Sequence, residues 1–443
     1  MTSDKLYSTI THEQGFKAAR MLQAEVSQPL SAISAVTPDN GKQYERAIVL
    51  VRYNQQPIGV TELPLGENGL SAEAYTEQIM SQFGGEIQQQ REQAQEQDPQ
   101  PWPPISVIIA THNRISTLSV CMESLVALDY PNYEIIVVDN APRDEKTADF
   151  MRDHYGDNPI VRYVREDMAG LATAHNAGVP AASHELLVFT DDDVVVDSQW
   201  LKAYARAFAA GTNVGCVTGM IFPIEMETPA QMLIEQYGGF NKGFARRFFD
   251  LGPNRPDNPL FPYAAGSFGS GANMAFTKQA LQAIGGFDDA LGAGSKGVGG
   301  DDLASFFDVV SAGYQLVYEP AAIVHHRHHD KYETLCKTMY GYGVGLTAFL
   351  TKTIVDKPSR LFTFIVRAPQ GVYYALSGSS AKNQGKVADY PAELTTLERK
   401  GMLYGPIAYI KSRRYVNKRK RERAEKAAFA ATGSKAATAL NEG

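Results

Sequence analysis

The amino-acid sequence predicts an α/β fold: a doubly wound, mostly parallel sheet, with a small N-terminal α+β module before it and a helical, basic extension after it. Three observations predict it. Between residues 105 and 190, short runs that are apolar throughout alternate with helix-like stretches. Strands of that kind are buried on both faces and belong to parallel sheets covered by helices on either side. The polar, Pro-dense segment DPQPWPP (98 to 104) has the composition of a semi-rigid linker and separates this region from what precedes it. Beyond residue 340 the chain turns aromatic and Gly-rich, then strongly basic. The expected division is 1–97 for the module and linker, 98–340 for the main domain and 341–443 for the extension.

In the module, RAIVLVRY (46 to 53) and PIGVTEL (57 to 63) read as two strands joined by a turn, and the stretch after Ser71 reads as a helix capped by that serine. The main domain begins at Ile105. Its strands are ISVIIA (105 to 110), EIIVVD (134 to 139), IVRYV (160 to 164) and ELLVFT (185 to 190), with helices between them. Ligands of such sheets sit beyond the carboxyl ends of the strands. Those ends read Thr111-His112-Asn113-Arg114, Asp139-Asn140 and Asp191-Asp192-Asp193.

Composition excludes several classes. Hydrophobic residues at 44% and charged residues at 21% describe a folded chain, and the net charge of -7 opposes whole-surface binding of nucleic acid. Cys121, Cys216 and Cys336 are odd in number and widely spaced, so neither a disulfide framework nor a thiolate zinc site is expected. With no apolar signal core and no long apolar run, the expected location is cytoplasmic, peripheral on the cytoplasmic membrane face if the basic tail binds lipid.

Three consecutive aspartates after a buried strand repel one another, and a divalent cation removes that cost. Hard oxygen ligands suit Mg²⁺ or Mn²⁺, which commonly complete their shells from substrate phosphates. The competing reading is a solvated acidic turn.

On these residues the stretch from Ile105 to about Tyr342 resembles a family 2 glycosyltransferase of GT-A fold. In that family a P-T-Y-N-R motif binds the nucleotide, and Ala110, Thr111, His112, Asn113 and Arg114 match it. The resemblance places Asp139 at the base and Asp191 and Asp192 at the ribose and at metal-bound water. It places Asp193, with Asp191, at the metal. GGDDLASFF matches an E-D-x-D-L segment, which puts Asp302 at the catalytic base with Asp301 beside it. His326 falls on a histidine that completes the metal or diphosphate site. Ala174-His175-Asn176 stands where A-R-N is usual, so His175 and Asn176 are assigned to the donor site, with an arginine replaced. Asp301 replaces a Glu and Ala304 an Asp.

The resemblance implies an inverting, hexosyl-type transfer of one sugar from a UDP- or dTDP-sugar to a hydroxyl of a carbohydrate or lipid-linked acceptor, with Mn or Mg, in polysaccharide or glycoconjugate synthesis. Asp302 takes the acceptor proton, and the metal neutralises the leaving diphosphate. The alternative is a donor-binding scaffold without turnover. A nucleotidyltransferase would need G-x-G-T-R, and a processive synthase would need Q-x-x-R-W and a membrane channel.

Strand alternation separates His326 and His328 from His325, Arg327 and His329, so four histidines do not converge on one ion. Only His326 is expected to be functional, and the others to lie on a solvated basic surface. GAGSKG (292 to 297) is read as a loop that closes over donor, and GSGANMAF (269 to 276) as a wall between donor and acceptor. In the tail, KSRRYVNKRKRERAEK (411 to 426) sets nine Lys or Arg against two Glu, a local +7. That charge is expected to draw the protein to an anionic membrane, with 361 to 376 and 402 to 410 lying in the interface.

Overall fold

The computed structural model describes residues 16–38, 41–92, 98–238, 240, 242–380, 382–383, 386 and 390–441, with side chains to Lys426. The N-terminal stretch read for a signal core and residues 93–97 lie outside these.

The module is a three-stranded sheet of β1 (Arg20–Glu25), β2 (Arg46–Tyr53) and β3 (Gln56–Pro64), covered by α1 (Ala72–Glu92). Ser71 Oγ accepts from Ala74 N at 3.2 Å, capping α1. Tyr75, Ile79, Phe83 and Ile87, four residues apart, form its one buried stripe. A Cβ at Gly59 would lie 2.1 Å from Phe83, so glycine lets this helix settle on β3. The parallel strand β1 lacks a clean apolar alternation and escaped the sequence reading.

The main sheet has nine strands. β4 (Ile105–Thr111), β5 (Tyr133–Asn140), β6 (Val161–Glu166) and β7 (Leu186–Asp191) are parallel, with β4 at the centre and buried throughout. Beyond β7 the sheet changes direction. β11 (Asn273–Thr277) runs antiparallel to β7 and to β9 (Val214–Pro223), and β12 (Gln315–His326) returns parallel to β9. The short β8 (Val194–Val196) and β10 (Arg247–Phe249) flank β12. The sheet is therefore mostly parallel with an antiparallel insertion. Helices α2 (Ile115–Val126), α3 (Lys146–Tyr155), α4 (Leu171–Ala181) and α5 (Trp200–Ala209) cover it, with α6 (Pro229–Gly238), α7 (Lys278–Ala283) and α8 (Asp301–Ser311).

The module shares a core with this sheet. Ile48, Leu50 and Val60 pack with Met220, Phe222 and Ile323, each such buried side chain contributing about 1.5–3 kcal/mol. Arg52 pairs with Asp197 at 2.5 Å in the same seam.

Three long helices complete the chain: α9 (Tyr332–Asp356), α10 (Arg360–Leu376) and α11 (Ala392–Asn441). Gly401 and Gly405 of α11 approach α9 so closely that a Cβ would lie 2.1 Å from Tyr340 O and 2.5 Å from Val344 O. The basic segment of α11 is not wholly given over to solvent: Lys420 pairs with Asp289 at 2.5 Å and Arg423 with Glu166 at 3.0 Å. Among the described residues, no helix is long and apolar enough to cross a membrane.

Candidate active site

β7 delivers Asp191, Asp192 and Asp193 to the carboxyl edge of the sheet. The chain turns at once into β8, which pairs antiparallel with the end of β12 so that Val194 lies opposite His326. This register brings a histidine 133 positions away in sequence against the acids: His326 Nε2 lies 3.3 Å from Asp193 Oδ1. One ligand atom each from Asp191, Asp193 and His326 falls within 4.8 Å of the others.

The three aspartates differ in their surroundings. Asp192 is fully buried, accepts from Thr111 Oγ1 at 2.6 Å and pairs with Arg114. Arg114 also reaches Asp193 at 3.0 Å. Burial, with the charge of Asp193 next, raises the Asp191 carboxyl to about 7. Burial also opposes ionisation of Asp193, yet His326 and Arg114 outweigh it and hold that carboxyl well below the usual range. Asp193 Oδ1 is buried without a hydrogen-bond partner. A buried carboxylate oxygen without a donor, beside a second acid and an imidazole, fits a divalent cation. These three residues could hold one.

A second acid pair opens α8. Gly300 precedes it at φ 82°, where a Cβ would lie 2.5 Å from Gly345 O, so glycine lets the start of α8 abut α9. Asp302 accepts from Gly271 N at 3.0 Å and from its neighbour Leu303 N at 2.8 Å. Burial raises both carboxyls, that of Asp301 to about 7 with Asp302 adding to it. The GSG turn thus positions Asp302 through a backbone N–H. Gly292 of the GAGSKG loop lies over Asp301, where a Cβ would stand 3.0 Å from its carboxyl carbon.

Behind His326 runs a chain that the sequence did not disclose. Glu235 Oε1 lies 2.6 Å from His328 Nε2, and His328 Nδ1 lies 3.2 Å from His326 Nδ1. The proton positions follow from the partners. A carboxylate takes the Nε2–H of a neutral His328, whose bare Nδ1 then accepts from the Nδ1–H of His326. His326 Nε2 then faces Asp193; burial opposes a proton there, but Asp193 outweighs burial and raises the His326 pKa, and release of that proton gives the tautomer that ligates a cation. His328 is therefore buried and bonded, contrary to the expected solvated surface, because Glu235 on α6 supplies its partner. His325 is likewise held, 2.7 Å from Gln23 of the module, and burial lowers its pKa to about 4. His329 and Arg327 are exposed as expected.

The remaining predicted residues divide. Ala110 lies opposite Asp191 in register, and His112 Nδ1 is 2.6 Å from Asn140 O at the end of β5. Asp139 is buried and accepts from Tyr163 at 2.9 Å, with its Oδ1 unpartnered. His175 is a correction. It is buried between Phe189 and Phe287, ring centroids 5.1 and 5.0 Å away, with neither nitrogen bonded, and burial lowers its pKa to about 3. Its position on the inner face of α4 turns it into the apolar core. Asn176 is also turned away: its side chain clasps the backbone of Phe287 and Asp289 Oδ1.

Arg114, Asp191, Asp193, Asp301, Asp302 and His326 line a single cleft of about 1600 Å³, whose far wall is built from α9 and α10. Ligand pockets usually span about 300–1,000 Å³, so this one has room for more than one small molecule.

The family model for glycosyl transferase family 2 matches residues 106–285. The pre-mycofactocin glycosyltransferase of Mycobacterium tuberculosis is 25% identical over 257 residues, covering 58% of this chain and 49% of its own. The poly-beta-1,6-N-acetyl-D-glucosamine synthase of Staphylococcus epidermidis is 30% identical over 115 residues, covering 26% of this chain and 28% of its own. The chain thus spans about half the length, or less, of these curated relatives. A mannosyltransferase of Pyrobaculum calidifontis, solved with GDP-Man and Mn²⁺, aligns at a TM-score of 0.45 and 19% identity over 75% of this chain and 95% of its own.

Proposed function

Starting from the match of residues 106–285 to the glycosyl transferase family 2 model, we propose that the chain moves one hexosyl unit from a nucleotide-diphosphate sugar to an acceptor hydroxyl with inversion. The observation that carries this reading is the convergence of Asp191, Asp193 and His326 on one point in the same cleft as Asp302. Asp193, Asp191 and His326 would hold Mn²⁺ or Mg²⁺, which would supply charge neutralisation for the departing diphosphate.

The chain's own residues do the rest. Asp302, fixed by two backbone N–H groups, takes the acceptor proton as the acceptor oxygen bonds to the anomeric carbon and the bond from that carbon to phosphate oxygen breaks. A carboxyl raised by burial is the better base near neutral pH, and such a base contributes roughly 10²- to 10⁴-fold. One base opposite the leaving group inverts the centre. Asp139, with one oxygen unpartnered, suits the imide N–H of uracil or thymine, which favours a UDP- or dTDP-sugar. Thr111, His112 and Arg114 border that site, and Arg114 moves from the aspartates to phosphate when donor binds.

The acceptor is a carbohydrate or a lipid-linked sugar, the setting polysaccharide or glycoconjugate assembly, and the place of action the cytoplasmic membrane face. Since His175 does not reach the cleft, its departure from the family pattern offers no support for a scaffold without turnover. A thermal-shift screen of UDP, dTDP, GDP and ADP, each with and without Mn²⁺, tests the reading. A uracil or thymine nucleotide with Mn²⁺ is expected to stabilise by about 2.7 kcal/mol at a hundred times its Kd. No response to any nucleotide with metal would overturn it.

A further inference from the structure

α10 is amphipathic, with Arg360, Thr363, Arg367 and Gln370 three or four residues apart along one side, and none of its residues is buried. Its inner face, including Thr363, Phe364, Arg367 and Gly371, forms the far wall of the cleft. Its opposite face carries Phe362, Val366, Pro369 and Tyr373, spaced four, three and four residues apart, all exposed, Phe362 at 74%. Ile365, Val372 and Leu376 stand between the two faces, both exposed and lining the cleft. An apolar path therefore runs from the outside of the helix to the inside of the cavity.

An amphipathic helix ordinarily buries its apolar face, and a continuous exposed apolar patch marks a contact surface. Charge says which kind. From Lys357 to Ala388 the sequence holds five Lys or Arg and no acid, of which Lys382 and Lys386 are turned to Glu398, and from Arg399 to Arg421 it holds nine and no acid, of which Arg413 pairs with Asp356. α11 adds exposed apolar residues in that second stretch, Leu403 at 81% and Ile407, and Arg399 Nη2 on Leu376 O at 3.2 Å ties it to the end of α10. Cations around an apolar stripe complement anionic lipid headgroups over an acyl layer. A second copy of the chain would meet the same cations and be repelled.

We propose that the outer face of α10, with Leu403 and Ile407 of α11, seats in the headgroup–acyl boundary of an anionic bilayer, and that a lipid-linked acceptor enters the cleft from the bilayer past Ile365 and Val372. The entry route rests on the glycosyltransferase reading; the seating on lipid does not. The far end of the tail is not the anchor, since Lys420 and Arg423 pair with Asp289 and Glu166 of the main domain.

The test is co-sedimentation of the full chain with vesicles of phosphatidylglycerol and phosphatidylcholine in equal parts, against phosphatidylcholine alone. Binding to the anionic vesicles is expected, weakened by salt and reduced at least tenfold in Phe362→Ser/Val366→Ser/Tyr373→Ser. An unchanged thermal transition would show that the triple variant is folded. Independently, Phe362→Trp is expected to add a blue-shifted emission component on anionic vesicles, quenched by brominated acyl chains. Equal binding by the triple variant, or no emission change at position 362, overturns the proposal. A lipid-independent dimer dissociated by the triple substitution would also overturn it and assign the face to self-association. Lipid seating without any nucleotide response would instead fault the catalytic reading and leave the seating intact.

Discussion

Two acid groups lie in one cleft and are built differently. Asp191 to Asp193 follow a buried strand and face cations, Arg114 at 3.0 Å from Asp193 and His326 at 3.3 Å. Asp301 and Asp302 open a helix, and Asp302 is met by backbone N–H groups from Gly271 and Leu303. The first group holds Asp193 charged between Arg114 and His326. The second keeps carboxyls that burial raises, that of Asp301 to about 7. Placement on a strand end or a helix start does not by itself make that distinction; the partners do.

The largest expected difference between the groups is in metal binding. Asp193→Asn is expected to weaken Mn²⁺ binding by about 100-fold, the worth of losing a charge-assisted contact of roughly 2.7 kcal/mol, as read by electron paramagnetic resonance titration. Unchanged Mn²⁺ affinity would break the comparison on its metal side. A smaller effect is expected behind the site: Glu235→Gln removes the carboxylate that fixes the His328 and His326 tautomers. Such outer partners change metal affinity by about 10-fold or more, so the same titration should show about that loss, with little change in His329→Gln.

pH sharpens the contrast without activity. Asp191 and Asp301 are raised to about 7 in the folded protein, far above their unfolded value. The folded state therefore holds more protons between about pH 4 and 7. Metal-free stability from these groups is full below that window and lost as pH rises through 7. Asp193, shifted downward, acts only at lower pH. The thermal midpoint of the metal-free protein is expected to fall from pH 5 to pH 8, and saturating Mn²⁺ to reduce that fall. A midpoint rising across the interval contradicts the assignment. The smallest effect is expected at His175, where His175→Leu should leave nucleotide affinity within about twofold and stability equal or higher, because two unsatisfied nitrogens leave the core.

The parallel half of the sheet was legible because its signal is local: ISVIIA and EIIVVD announce buried strands by themselves. The antiparallel insertion of β11 between β7 and β9 was not, since its pairings join segments far apart in sequence, Asn273 with Thr190 and Met274 with Thr218. The aspartates and Asp302 could be picked out because acids at a strand end and a helix start are costly without a purpose. Glu235 could not, because a lone acid on α6 gains meaning only from a histidine 93 positions later. His175 misled for a related reason: a motif position fixes the register on α4, and packing against Phe189 and Phe287 decided where the ring points.

The division of labour between the two acid groups is tested most directly by measuring Mn²⁺ affinity and sugar transfer together in Asp302→Asn. This account predicts a Kd for Mn²⁺ within about threefold of the unaltered protein and a transfer rate lower by roughly 10²- to 10⁴-fold. Loss of Mn²⁺ binding in that variant, or transfer that survives it, would contradict the account.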